Sequence, residues 1–195
     1  MLLVHGFAGA ITTYYTLKNN SKLKMSQLVL NVLWFIGIVG GIFPDFDILF
    51  IFVDKNIEHR KLLTHSLVPY LVFFVLINLI IYFTRFKKDT KNLLLISNVV
   101  FFMGVCSHLL IDFFVGGLGL FSPITNYYFG YNLPFSAKSP EWQITYFSSL
   151  YMVAETLVAL WYFNIRKNIK SFVGRWFPIF LFAVAISATL VLMFN

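Results

Sequence analysis

His108 and Asp112 lie one helical turn apart within a long apolar segment of the chain. Residues four apart share one face of a helix, with their Cβ atoms about 5–6 Å apart. An imidazole nitrogen and a carboxylate oxygen together suit Zn²⁺, and several other divalent metals accept the same pair. The pair could instead form a hydrogen bond that holds two helices together. The other polar residues of the chain distinguish a metal site from such a structural contact.

Further histidines and aspartates precede this segment, in or beside earlier apolar segments. They are His5, Asp45, Asp47, His59 and His65. An aspartate after a turn commonly caps a helix, but polar groups within an apolar bundle are costly and are functional by default. Considered together, these side chains predict a metal site, in which one of the two later histidines could be a ligand and the other an acid–base group.

Three other polar features adjoin this set or resemble it. Arg60 is either an interfacial arginine or a planar cation that binds a phosphate or carboxylate. Thr64 and Ser66 flank His65 and could orient its ring. Glu155 lies within a later apolar segment, where we expect it to be protonated and hydrogen-bonded.

Six apolar segments carry these residues. The chain is 59% hydrophobic and 12% charged, whereas a soluble domain is about 25% charged. A membrane span needs about 17–25 residues and must be helical, because its backbone groups have to pair within the segment. The sequence therefore predicts an all-α membrane protein, a polytopic bundle of about six transmembrane helices forming a single domain over residues 1–195. The segments are 1–17, 28–43, 67–84, 93–116, 144–164 and 178–194.

The basic residues lie in the loops between these segments. Eleven of the fifteen fall in the first, third and fifth loops, and four fall in the second and fourth. The positive-inside rule places the richer loops in the cytoplasm, so both termini and the metal site are expected to be extracytoplasmic. This placement explains the net charge of +7 without a nucleic-acid partner. The single cysteine, Cys106, excludes an internal disulfide and a cysteine-based zinc cluster.

The order of the polar motifs resembles a known family. An early His5 is followed by Gly-x-x-Pro-Asp-x-Asp at 41–47, His-Arg-x-x-x-Thr-His-Ser at 59–66 and His-x-x-x-Asp at 108–112. This pattern resembles the family of predicted membrane-bound, metal-dependent hydrolases, also described as LexA-regulated inner-membrane hydrolases. The matching stretch defines a metal-site region at 1–123 and leaves the C-terminal helices at 144–194 outside it.

The resemblance implies ligands, cofactor and cellular location. The family is distantly similar to zinc-dependent phospholipase C, an all-helical enzyme whose metals are held by histidine and aspartate. Because those enzymes have further ligands late in the chain and no histidine follows His108 here, one or two Zn²⁺ ions are expected rather than three, and Mn²⁺ is possible. The expected location is the bacterial inner membrane. The implied metal ligands are Asp47, His65, His108 and Asp112, and His5, Asp45 and His59 are implied as further ligands or acid–base groups. We assign His5 to the metal site and expect Asp45, His59 and Arg60 to be the catalytic residues.

These expectations lead to one expected function and one alternative. We expect hydrolysis of a phosphoester in a lipid or lipid-linked substrate at the outer membrane face, with Asp45 or His59 accepting a proton and Arg60 offsetting developing charge. The aromatic-rich loop at 119–142 could anchor the chain at the headgroups or contact such a substrate. The alternative is a non-enzymatic membrane protein, either a metal or proton transporter or a structural partner. A transporter would need polar groups through both halves of the bilayer.

Overall fold

The computed structural model describes residues 4–20, 25–47, 62–114, 118–125, 127–128 and 150–194. Within these ranges the chain forms six α-helices and no strand, which confirms the all-helical prediction. The helices are α1 (His5–Asn19), α2 (Gln27–Ile42), α3 (Leu67–Phe83), α4 (Lys88–Phe113), α5 (Leu150–Arg166) and α6 (Phe172–Phe194). Two short 3-10 turns, Phe43–Asp47 and Leu63–His65, lie between α2 and α3.

Two of these helices are long and apolar enough to cross a membrane. They are α2 together with its following turn, Gln27–Asp47, and α4. Helix α3 and the Phe172–Ser187 part of α6 are apolar but shorter. Helix α3 has no charged residue, and Ile81 is its one buried residue. The apolar side chains that α3 presents outward form a surface of the kind that contacts lipid. Six membrane crossings stay a prediction.

The start of α4 differs from the apolar pattern. The pattern places it near residue 93, but the helix begins five residues earlier at Lys88. The intervening residues are polar and can be helical outside the hydrocarbon layer. Asp89 in the first turn also favours a helix there, because its negative charge interacts well with the helix dipole. Hydrophobicity therefore marks the apolar part of the helix and not its end.

Helix α6 begins at Phe172, whereas the apolar pattern suggests residue 178. Pro178 thus lies inside the helix, where it cannot donate a hydrogen bond to the carbonyl of Gly174. The hydroxyl of Tyr162 in α5 lies 2.9 Å from that carbonyl oxygen. A neighbouring helix thereby satisfies the group that the proline leaves without its usual donor, which is how apolar bundles tolerate an internal proline.

Glycines bring α1, α2 and α4 into close contact. A Cβ added at Gly9 of α1 would lie 2.5 Å from the carbonyl oxygen of Gly37 in α2. A Cβ at Gly104 of α4 would lie 2.8 Å from the backbone nitrogen of Gly41. Gly37 and Gly41 form the small-xxx-small pattern that permits backbones to approach within membranes. This three-helix contact brings together the ends of α1, α2 and α4 that carry the polar residues.

The other helices surround this centre. Helix α3 packs on α4, where Asn98 donates to the carbonyl of Phe74 at 3.0 Å. Helix α5 packs on α1, with the rings of Phe7 and Tyr162 stacked at 4.6 Å. Helix α6 packs on α2, where Gly174 leaves space for the ring of Trp34. Three helices therefore form the centre and three cover it.

We predict opposite effects for alanine at two glycines of α1. Gly9→Ala should lower the free energy of unfolding by about 1–3 kcal/mol, the usual cost of overpacking, because its methyl group meets the Gly37 carbonyl. Gly6→Ala is the matched control, since its Cβ would make ordinary contact at 3.4 Å with Leu181 and should gain helix propensity. Thermal unfolding in detergent, followed by tryptophan fluorescence, measures both. An equal loss in the two variants would contradict the close contact.

Candidate metal centre

The candidate centre is built from four short pieces of chain. His5 opens α1, the turn Phe43–Asp47 continues α2, the turn Leu63–His65 precedes α3, and one face of α4 ends the set. Six side chains from these pieces are almost fully enclosed, with exposed fractions between 0% and 3%. They are His5, Asp45, Asp47, His65, His108 and Asp112. These six include every histidine and aspartate that the sequence singled out within the described ranges.

Ser66 fixes the position of the turn that carries His65. Its hydroxyl donates to the carbonyl of Leu120 at 3.1 Å and also contacts the carbonyl of Ser122. At the start of α3, the backbone nitrogen of Val68 lies 3.4 Å from the hydroxyl oxygen of Ser66. Ser66 therefore connects the turn to residues 118–125 instead of orienting the imidazole of His65 directly.

The three imidazoles direct their Nε2 atoms at two carboxylates. Oδ1 of Asp112 lies 3.5 Å from Nε2 of His5. Oδ2 of Asp112 lies 3.5 Å from Nε2 of both His65 and His108. Oδ1 of Asp45 lies 3.5 Å from Nε2 of His65 and 3.6 Å from Nε2 of His108. Oδ2 of Asp45 lies 3.8 Å from Nε2 of His5. Three nitrogens and two carboxylates thus surround one small volume.

These separations fit metal ligands better than hydrogen bonds. Hydrogen bonds to nitrogen donors are about 2.7–3.2 Å long, and the distances here are 3.5–3.8 Å. Ligand atoms about 2.0–2.2 Å from a tetrahedral metal are about 3.3–3.6 Å from one another. Nε2 of His5 and Nε2 of His108 are buried without a hydrogen-bond partner among the described residues. Buried nitrogens of this kind are suited to bind a cation.

Contacts at the opposite ring nitrogens favour the same use of Nε2. Nδ1 of His108 lies 2.8 Å from the carbonyl oxygen of Gly41. Because a carbonyl only accepts, Nδ1 carries the proton and Nε2 keeps its lone pair. Nδ1 of His65 lies 3.0 Å from Oδ2 of Asp47. Carboxylates and carbonyls orient metal-binding histidines in this way.

The electrostatics of the cluster favour an added cation. Burial lowers the pKa of His65, but the nearby carboxylates of Asp45 and Asp47 outweigh it and raise that pKa to about 9. Three carboxylates share this buried volume with three imidazoles, so the cluster has an excess of negative charge whenever the imidazoles are neutral. A bound proton or a divalent metal reduces that excess, and buried charges are stable only when paired or coordinated.

Two overlapping groups of side chains have donor atoms close enough to share an ion. One contains His5, Asp45, His108 and Asp112, and the other contains Asp45, Asp47 and His65. Within each group the donor atoms lie within 4.8 Å of one another. The expected metal site is thus supported at the level of a buried His/Asp cluster within metal-binding distance, and the identity of the metal is a separate matter.

The structure does not place every predicted site residue in the cluster. His59 and Arg60 fall outside the described residues, so their roles stay predictions. Thr64 contributes a weak contact, since its hydroxyl lies 3.4 Å from Nδ1 of His65. The carbonyl of Gly41 was not expected to orient His108. The Gly37/Gly41 spacing was the available sequence signal, because it indicates that another helix approaches this backbone.

Residues 1–193 match the family described as YdjM inner membrane protein. The chain belongs to this family. Membership of the YdjM family confirms the expected inner-membrane family, whereas hydrolysis and similarity to phospholipase C stay predictions. No curated protein and no solved structure matches the chain. The family match therefore indicates an inner-membrane protein, and the His/Asp cluster indicates where a metal could bind.

Metal should stabilise this protein through the cluster. After chelator treatment, Zn²⁺ at about 100 times its Kd should add about 2.7 kcal/mol of stability, which raises the unfolding midpoint by about 5–10 °C. His108→Ala should abolish the rise, because it removes a buried Nε2 from the centre.

Asn98→Ala provides the control for this experiment. Asn98 is a buried polar residue of the same helix, and its side chain donates a hydrogen bond to α3 instead of contacting the cluster. Its replacement should therefore lower stability without lowering the amount of bound metal. Metal content is measured beside the unfolding midpoint. Full metal content in His108→Ala would show that these residues form a structural polar cluster only.

Proposed function

We propose that this protein is a membrane-embedded, metal-dependent hydrolase that acts on a phosphoester of a lipid or lipid-linked substrate. One observation carries the proposal. The Nε2 atoms of His5, His65 and His108 lie 3.5–3.8 Å from oxygens of Asp45 and Asp112 in a fully buried volume. That donor set is common among hydrolytic metals, and it occurs here in a chain of an inner-membrane family.

The arrangement supports one ion and leaves room for a second. Oδ1 of Asp45 faces His65 and His108, whereas Oδ2 of the same carboxylate faces His5. Asp45 could thus share its two oxygens between two ions. This makes Asp45 a better ligand than an acid–base group. Zn²⁺ is favoured because five of the six nitrogen–oxygen separations are 3.5–3.6 Å, as between the ligands of a tetrahedral ion, and Mn²⁺ accepts the same donors.

Asp47 is assigned a different role from the one that the resemblance implied. Its Oδ2 atom lies 3.0 Å from Nδ1 of His65, and with this contact Nε2 of His65 faces Asp45 and Asp112. We therefore propose that Asp47 holds the His65 ring in place and raises its basicity as a ligand. Removal of such an orienting carboxylate typically lowers metal affinity by about 10–100-fold.

The chemistry proposed is addition of water to phosphorus and cleavage of the bond to the leaving alcohol. A divalent metal at this site would act as a Lewis acid and lower the pKa of water toward about 7. The chain itself must take a proton from water and return one to the leaving alcohol. His59 is the sequence candidate for proton transfer, and Arg60 is the candidate for pairing with the phosphoryl oxygens.

A lipid substrate is favoured by the surroundings of the cluster. The chain belongs to an inner-membrane family, and Phe43 and Phe46 flank the buried aspartates with exposed fractions of 38% and 46%. Apolar rings beside a polar centre suit a molecule with a charged head and an apolar body. A water-soluble phosphoester would gain nothing from these rings.

Hydrolysis in detergent tests the proposal. Purified protein loaded with Zn²⁺ or Mn²⁺ should release product from a phospholipid or lipid-linked phosphate. Asp112→Asn should lower the rate by more than about 100-fold, because loss of a ligand exceeds the effect of losing an orienting group. Arg60→Ala should lower it by about 10–150-fold while metal content stays normal, since a charge-assisted hydrogen bond contributes about 1.5–3 kcal/mol.

Ser171→Ala serves as the control here and should keep its turnover per folded molecule, because this buried hydroxyl donates to Asn31 of α2 at 2.7 Å. Bound metal without turnover on any phosphoester would contradict the enzymatic proposal and favour the non-enzymatic alternative.

A further inference from the structure

An apolar groove of about 790 Å³ lies between α3 and α4. Its volume is within the range of about 300–1,000 Å³ that small-molecule sites occupy. The lining includes Phe73, Ile77 and Ile81 from α3 and Leu94, Phe101 and Phe102 from α4. Because the chain belongs to an inner-membrane family, we expect a groove between two apolar helices of this kind to face hydrocarbon.

Three of the four polar side chains on the wall of the groove donate hydrogen bonds within the protein. The Tyr70 hydroxyl donates to the carbonyl of Thr64 at 2.8 Å. Ser97 donates to the carbonyl of Leu93 at 2.8 Å, and Asn98 donates to the carbonyl of Phe74 at 3.0 Å. A polar occupant would have few groups to bond and would lose its hydration. The lining therefore selects hydrocarbon.

One end of the groove reaches the metal centre. Phe43 begins the turn that carries Asp45, and Leu63 and Thr64 belong to the turn that carries His65. From Pro69 to Ile81 the groove then follows α3 for twelve residue-to-residue steps, or about 18 Å at 1.5 Å per step. Half the hydrocarbon core of a bilayer is about 15 Å thick. A lipid tail that starts at the centre can thus extend along the groove for the depth of one leaflet.

We propose that the groove between α3 and α4 binds one hydrocarbon tail of a membrane lipid, whose head group then lies at the His/Asp cluster. The tail site stands on the groove itself, and only the placement of a scissile head group rests on the proposed function. The groove would select lipids with a long tail and position their phosphoester beside His65. Short-chain phosphoesters would lack this contact.

Photocrosslinking tests tail binding without requiring turnover. The protein is placed in nanodiscs of phosphatidylethanolamine and phosphatidylglycerol that contain a phospholipid with a diazirine in its tail. Crosslinks should concentrate on the groove residues Phe73, Ile77 and Phe102. Ile77→Trp should fill the groove and lower these crosslinks by about 5- to 30-fold, a factor that corresponds to about 1–2 kcal/mol.

Leu76→Trp is the matched control. It lies beside Ile77 on α3, is 51% exposed and is not among the groove-lining residues, so its crosslinks and metal content should match those of wild type. Leu94→Trp fills the groove from α4 and guards against a folding defect peculiar to Ile77→Trp. Thermal unfolding and bound metal are measured for all three variants.

Two further results separate this proposal from the proposed function. If the protein hydrolyses phospholipids, Ile77→Trp should raise KM for a palmitoyl substrate and leave hydrolysis of a soluble phosphate ester unchanged. If it has no turnover, groove-specific crosslinks still support tail binding. Equal crosslinking on the outer face of α3, crosslinks to a second copy of the chain in place of lipid, or equal effects of Ile77→Trp and Leu76→Trp would overturn the proposal.

Discussion

The close approach of three helix backbones determines most of this structure. Gly9, Gly37 and Gly104 leave no space for a side chain where α1, α2 and α4 meet. A bundle in lipid has no hydrophobic force between its helices and depends on close packing and hydrogen bonds. Close contact between glycines therefore holds these helices together, as a leucine-rich core does in a soluble protein. It also brings the ends of these helices together, and those ends carry the polar residues.

Burial of the polar cluster follows from this packing and sets its chemistry. His5 leads into α1, Asp45 follows α2 and Asp112 lies near the end of α4, so none can move away from the others without separating the helices. Enclosed carboxylates and imidazoles need a compensating charge. Helix packing and metal binding are thus coupled, because the contacts that exclude water from the cluster also create its demand for a cation.

The sequence predicted the helices and part of the cluster for separate physical reasons. Apolar length is a local property, so each of the six segments contains a helix within the described residues, whereas polar helix ends such as Lys88 are not encoded in hydrophobicity. The His108–Asp112 pair follows from helical spacing alone.

The rest of the cluster depends on tertiary contacts. The proximity of His5 to Asp112, the bond between Gly41 and His108 and the different positions of Asp45 and Asp47 require knowledge of how α1, α2 and α4 cross. X-ray absorption at the metal edge of the zinc-loaded protein tests the central claim most directly. We expect nitrogen and oxygen ligands at about 2.0–2.2 Å with outer-shell scattering from more than one imidazole. A spectrum with no imidazole contribution, or with sulfur from Cys106, would contradict it.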